Sequence, residues 1–208
     1  TFVLNITSPM YSRYDRVMLE DQSDGFGSLC FAQMVNSLNF NIVKLLDCHS
    51  EVLVSQIDNC VDVKQSVLLE TVKKEFGCYI NDTIAPDKGA VKKNNTPSIV
   101  YNKVRNLETG KIVGLEELEF KCEAKEYLVV DDLCEGGGTF LGVADKFNEL
   151  HQGELSLYVT HGLFTNNAIN KLLEKYSKIY VYIMTSDLYI TLTDEQLNKV
   201  FPLNVVSV

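Results

Sequence analysis

The stretch that most constrains the fold is Tyr127-Leu-Val-Val-Asp131-Asp132-Leu-Cys-Glu135-Gly136-Gly137-Gly138-Thr139-Phe140. An apolar run meets two adjacent carboxylates, and three consecutive glycines follow. Phe140, Val143, Ala144, Phe147 and Leu150 then recur at helical spacing. The pattern predicts a strand, a loop and a helix N-terminus in one segment. Glycines let backbone N–H groups crowd a ligand with no side chain in the way. With the open first turn of a helix they form an anion site. Adjacent carboxylates at a strand end can accept hydrogen bonds from vicinal hydroxyls or hold a divalent ion through water. Phosphate donors beside hydroxyl acceptors point to a sugar phosphate. A glycine-rich turn behind an acidic strand end is the plainer reading of the same residues.

The rest of the chain is compatible with an α/β protein built around that segment. It has 208 residues, enough for one large α/β domain or two small ones. No apolar run approaches the roughly 20 residues of a membrane span, and no secretory signal stands out. The first residue is Thr1 rather than Met, and Thr1 to Thr7 reads as a strand, so a preceding portion is expected. Net charge is −9, which argues against nucleic acid as a main partner. One region breaks this acidity. From Lys88 to Leu107 the sequence carries Lys88, Lys92, Lys93, Lys103 and Arg105 and no acid. Such a patch suits a small anionic ligand, or is a solvated basic loop. The six cysteines show no C-x-x-C spacing. They read as small core residues of a reduced, cytoplasmic protein.

The central segment resembles the 5-phosphoribosyl 1-diphosphate (PRPP) motif of type I phosphoribosyltransferases and ribose-phosphate pyrophosphokinases. There Val-Val-Asp-Asp precedes a phosphate loop ending in Gly-Thr. The resemblance departs at Gly136, where the pyrophosphokinases usually carry Thr, and at Glu135, where they usually carry Asp. It implies that Asp131 and Asp132 hold the ribose hydroxyls, and that Glu135, Gly136, Gly137, Gly138 and Thr139 hold the 5-phosphate.

Four further segments resemble the pyrophosphokinases in the same order. Pro9-Met-Tyr-Ser-Arg13-Tyr14-Asp15-Arg16 is similar to a stretch that lines the ATP site, with Tyr14 where the family usually has Gln. Asp47-Cys48-His49, at the end of an expected buried strand, matches an Asp-x-His whose histidine reaches the metal of Mg-ATP. Pro86-Asp87-Lys88-Gly89 matches a Pro-Asp-x-Gly whose Asp binds a divalent cation. Thr160-His161-Gly162-Leu163-Phe164 closes the same site, where His161 is expected to be structural. The family also places a Lys and an Arg of a mobile catalytic loop where Lys103 and Arg105 stand.

Strand–helix alternation predicts an α/β fold with a mostly parallel sheet and helices on both faces. The resemblance implies a phosphoribosyltransferase-like architecture in two similar halves, 1–80 and 81–208. It also implies transfer of diphosphate from Mg-ATP to the anomeric hydroxyl of ribose 5-phosphate. In that reading Lys103 and Arg105 are catalytic, His49 and Asp87 hold Mg²⁺, and Arg13, Tyr14, Asp15 and Arg16 hold ATP. The partners are ATP and a ribose phosphate in a homo-oligomer, with no nucleic acid and no membrane. Three alternatives stand beside it. Gly136 removes a hydroxyl donor and opens space for a larger acceptor such as ADP-ribose, with NAD salvage as the associated pathway. A phosphoribosyltransferase shares the central motif. A non-catalytic nucleotide-binding regulator is the third.

Overall fold

The structure, a computed structural model, describes residues 1–7, 14–15, 26–93, 96–105, 112–121 and 123–207. Two compact units emerge, Thr1–Val67 and Leu68–Val208. The boundary falls inside a helix, ahead of the residue-80 division expected from the resemblance.

The first unit is a three-stranded parallel sheet in the order β1-β2-β3, from β1 (Val3–Ile6), β2 (Ile42–Leu46) and β3 (Cys60–Val63). Helices α1 (Gly27–Ser37) and α2 (Glu51–Gln56) link them, a right arrangement for parallel neighbours, which need long crossovers. Ala32, Val35, Val43, Leu45, Leu53 and Ile57 form the core. Ser50 caps α2, its hydroxyl accepting from the Val52 N–H at 3.1 Å. The sequence pattern anticipates β1, α1 and β2 but not α2 and β3. Both are short, and their apolar residues are too few to show a period.

The second unit begins in α3 (Gln65–Phe76), whose Gly77 adopts φ +62° as the helix ends. The strands are β4 (Thr83–Ala85), β5 (Ile99–Arg105), β6 (Ile112–Phe120), β7 (Glu126–Cys134), β8 (Glu154–Gly162), β9 (Lys178–Thr185) and β10 (Val200–Val206). Their order is β10-β9-β8-β7-β4-β5-β6. Among the described residues every pairing in this sheet is parallel except β5 with β6. The connecting helices are α4 (Lys88–Lys93), α5 (Gly138–Leu150), α6 (Ala168–Leu173), α7 (Ser186–Tyr189) and α8 (Asp194–Leu197). The expected mostly parallel α/β architecture is thus present.

Alternation along β7 sorts its side chains to two faces. Tyr127 and Val129 join Phe140, Val143, Phe147 and Leu172 in one core layer. Leu128 and Val130 join Leu69, Val72, Tyr158 and Tyr180 in the other. β7, flanked on both faces, is therefore a continuous apolar run rather than an alternating one. Cys78 to Ile84 reads from its sequence as a strand, but β4 covers only Thr83–Ala85, the residues that pair with β5 and β7. The short strand expected at Ser98–Tyr101 instead runs to Arg105, because β6 folds back and satisfies its backbone groups.

That β5–β6 hairpin is fastened to the end of α5. His151 Nε2 lies 2.5 Å from Glu117 Oε2, and the Phe120 ring stacks on the imidazole at 4.6 Å. At the far end of β8, Gly162 is in a place where nothing larger fits. A Cβ there would overlap the Phe164 ring and lie 2.8 Å from Val181 Cγ1. Gly162→Ala is expected to lower stability by about 1–3 kcal/mol through overpacking, read as a reduced urea midpoint at unchanged slope.

Candidate functional site

The parallel strands meet at a switch point. From β4 the chain turns one way to β5, and from β7 it turns the other way to β8. Open α/β sheets bind ligands in the crevice beyond the strand ends at such a point. Here the crevice has a defined depth. Ile84 pairs with Val129, and β4 ends one residue later, while β7 continues to Cys134. Asp131 and Asp132 therefore project past the end of β4. They do not terminate their strand, as the sequence suggests. They sit inside its last few residues, where β8 still pairs Asp131 with Val159.

Because side chains alternate, the two aspartates point to opposite faces. Asp132 is buried and meets Lys93 from the end of α4, with Nζ 2.8 Å from Oδ2. Asp131 is half-buried, and its Oδ1 accepts the Asp132 N–H at 2.9 Å. Burial, then the charges of Asp132 and Asp87, push the Asp131 carboxyl up to about 7; the Asp132 N–H and Lys103 oppose this more weakly.

Asp87 follows β4 and caps α4, its Oδ1 accepting the Ala90 N–H at 3.0 Å. Gly89 leaves room for that cap, since a Cβ there would lie 3.1 Å from Oδ1. The other oxygen, Oδ2, meets Lys103 Nζ at 2.7 Å. Burial opposes ionisation of Asp87. The Lys103 hydrogen bond and charge, with the N–H groups of Ala90 and Gly89, outweigh it and hold the carboxyl below its ordinary value. Lys103 lies in β5, not in a loop.

The glycine loop is built on the next turn of the chain. Its carbonyls at Cys134 and Glu135 accept N–H groups from Leu163, Phe164 and Thr165, at 2.9, 3.2 and 2.9 Å. Gly137 is the N-cap of α5 at φ +76°. A Cβ on it would lie 3.4 Å from Ala168 Cβ, so both its conformation and its surroundings require glycine. No side chain caps α5 and no acid lies in its first turn. The N–H groups at Gly138 and Thr139 thus face the crevice end of a thirteen-residue helix, a favourable site for an anion. Burial, and then the charge of Asp131, push the Cys134 thiol up to about 12, so it is an inert wall of the loop.

The second unit therefore brings Asp87, Lys103, Asp131, Asp132 and the loop from Glu135 to Thr139 to one sheet edge. His161 lies on β8, buried, in keeping with a structural place. In the first unit, His49 is exposed just after β2. The preceding Asp47 is buried at φ +45° and accepts from Gln65 Nε2 at 2.9 Å, while the Cys48 N–H donates to Asp62 at 3.0 Å. This fixes the backbone that presents His49. Tyr14 is exposed and Asp15 half-buried; the Tyr14 carbonyl accepts the Ser28 N–H at 3.0 Å. Arg13 and Arg16 lie outside the described residues, as does the side chain of Arg105. Two residues of the site were not singled out from the sequence. Gly89 stood in a quoted motif without a role, and Lys93 was one base in a basic run.

No family model matches the chain. Curated relatives do. A ribose-phosphate pyrophosphokinase of Ureaplasma parvum is 27% identical over 146 residues, covering 66% of this chain and 44% of the relative. Ribose-phosphate pyrophosphokinase 3, chloroplastic, of Oryza sativa is 36% identical over 110 residues, 50% of this chain and 26% of the relative. One from Pyrococcus abyssi is 23% identical over 178 residues, 82% of this chain and 61% of the relative. The chain is similar, at modest identity, to ribose-phosphate pyrophosphokinases over much of its length. It spans less than two thirds of the length of these relatives. The fold agrees. The crystal structure of phosphoribosylpyrophosphate synthetase from Mycobacterium smegmatis superposes with a TM-score of 0.70 at 18% identity, over 99% of this chain and 66% of that one. No helix among the described residues is long and apolar enough to cross a membrane.

The raised Asp131 carboxyl has a consequence for stability. The folded state holds its proton up to about pH 7, whereas an unfolded aspartate loses it near its ordinary value of 3.8. Its favourable contribution is complete below the unfolded value and is lost as pH rises through the folded one. Asp131→Asn is therefore expected to raise the ligand-free melting temperature at pH 8 and to change it far less at pH 5. Thermal melts of both proteins at the two pH values check the sign.

Proposed function

We propose that the chain transfers diphosphate from ATP to the anomeric hydroxyl of ribose 5-phosphate, giving PRPP and AMP. The observation that carries this reading is the gathering of an anion-binding helix start, twin aspartates and the Asp87–Lys103 pair at one switch point. A phosphate, a set of vicinal hydroxyls and a polyphosphate each have a matching group there. The relatives' names support the choice within the wider set of sugar-phosphate enzymes.

The chain's residues would act as follows. N–H groups from Glu135 to Thr139 hold the 5-phosphate, with the α5 dipole behind them. Asp131 and Asp132 accept hydrogen bonds from the ribose hydroxyls and fix the sugar's orientation. Being on opposite faces of β7, they bracket the ring edge rather than share one hydroxyl. The anomeric oxygen forms a bond to the β-phosphorus, and the bond from that phosphorus to the α–β bridging oxygen breaks. AMP departs with that oxygen, and the hydroxyl proton is released. Lys103, which pairs with Asp87, is assigned to neutralise charge on the transferring group. Arg105, next but one along β5, is assigned the same task. In the first unit, Arg13, Tyr14, Asp15 and Arg16 are assigned to the nucleotide.

Mg²⁺ belongs to this reading, with Asp87 of the second unit as its assigned carboxylate ligand; His49, in the first unit, is a separate candidate. Among the described residues no three potential metal ligands are gathered. Mg²⁺ is commonly held by one or two protein groups, with substrate phosphates and water completing its shell. Asp87 fits chemically, being a hard oxygen donor held ionised below its ordinary range. When bound, the ion screens the polyphosphate and polarises its oxygens.

Incubation with Mg-ATP and ribose 5-phosphate is expected to release AMP and form PRPP in equal amounts. Greater turnover with ADP-ribose would replace the acceptor, and PRPP consumption with a base but no AMP would replace the reaction. Lys103→Ala is expected to lower kcat by about 10²–10³-fold with a much smaller change in the KM for ribose 5-phosphate. Steady-state kinetics on the two proteins read both parameters.

A further inference from the structure

The six residues of α4 carry a site group at each end. Asp87 caps its N-terminus, and Lys93 is its last residue. Ala90, in the middle, is buried and pins the helix to the unit. Lys93 Nζ reaches across to Asp132 Oδ2 at 2.8 Å, with the lysine side chain 23% and the aspartate side chain 9% exposed. We propose that Lys93 is a positioning residue for the acceptor sugar: it holds the Asp132 carboxylate in a single orientation toward the crevice. This deepens the sugar-phosphate reading of the site and rests on it.

The physical grounds are three. A buried carboxylate is costly unless it is compensated, and Lys93 supplies a full positive charge at hydrogen-bond distance from this one. Asp132 also stands beside Asp131, and the repulsion between the two neighbouring carboxylates makes a cation at hydrogen-bond distance more valuable for keeping its side chain in place. Finally, a strand carboxylate can occupy more than one staggered rotamer, and an ion pair to a lysine on a helix pinned by the buried Ala90 selects one. Lys93 is therefore distinct in role from Lys103. Lys103 pairs with Asp87 on the polyphosphate side, and Lys93 acts on the sugar through Asp132. Its neighbour Lys92 is exposed and has the same charge, which makes it an internal control.

The test is calorimetric binding of ribose 5-phosphate and, separately, of Mg-ATP to the 208-residue chain. Folding of each variant is checked by circular dichroism and thermal melting. Lys93→Met is expected to weaken ribose 5-phosphate binding about ten- to a hundredfold and to leave Mg-ATP binding unchanged. Lys93→Arg, which keeps the charge and the reach, is expected to restore most of the sugar affinity. Lys92→Met is expected to bind like the wild type. Equal sugar affinity in Lys93→Met and wild type would overturn the assignment alone. So would equal weakening in Lys92→Met, which would mean that only bulk charge matters. Loss of both affinities in Lys93→Met would mean a general structural role and would overturn it too. Absence of ribose 5-phosphate binding by the wild type itself would sink the sugar-phosphate reading, and this assignment with it.

Discussion

The site depends on a mismatch in strand length. β4 stops at Ala85, while its neighbour β7 continues to Cys134. Past that step the flank of β7 has no β4 residue beside it, and Asp131 and Asp132 stand at the edge of a notch. Everything chemical in the second unit is arranged around this notch. Asp87 sits on the turn that ends β4, and the glycine loop follows the end of β7. Were β4 longer by a few residues, its backbone would pair with β7 and fill the space assigned to ligand.

Three carboxylates in so small a region need internal compensation, and they have it. Two carboxylates, Asp87 and Asp132, each hold a lysine at hydrogen-bond distance. The third, Asp131, lies between them and is driven toward its neutral form by burial and its neighbours. A carboxyl that changes protonation near neutrality can both accept from and donate to a hydroxyl. In this respect the twin aspartates are not equivalent, although they are adjacent in sequence. The hairpin that supplies Lys103 is in turn held by the Glu117–His151 pair and the stacked Phe120. That contact lies on the flank of the sheet, away from the notch, and fixes the strand rather than the lysine itself.

Much of this was legible from residues alone. The run from Tyr127 to Phe140 predicts strand, loop and helix because its period changes from continuous to helical at three glycines. The structure shows each part. Asp87 caps the helix that begins at Lys88, and Gly89 in its first turn admits that carboxylate. Other features were not legible. The strand expected at Cys78–Ile84 is mostly irregular, because whether an apolar run becomes a strand depends on a partner being in reach. Lys103 and Arg105 read as part of a mobile loop. They lie in a strand because β6, which folds back in pairings such as Lys103 with Leu115, supplies the hydrogen bonds.

What the sequence determined by itself is chemical type: an anion cradle, paired carboxylates and nearby cations, in an alternating strand–helix chain. Local spacing encodes these, since a glycine run or an Asp-Asp step acts on its own backbone. What only tertiary structure decided is pairing. That Lys93 meets Asp132, thirty-nine positions away, and that Lys103 meets Asp87 follow from the order in which strands lie in the sheet. Ion pairs fall off steeply with distance and ignore position along the chain. No local pattern can state which lysine of a basic run will be the one that reaches the notch.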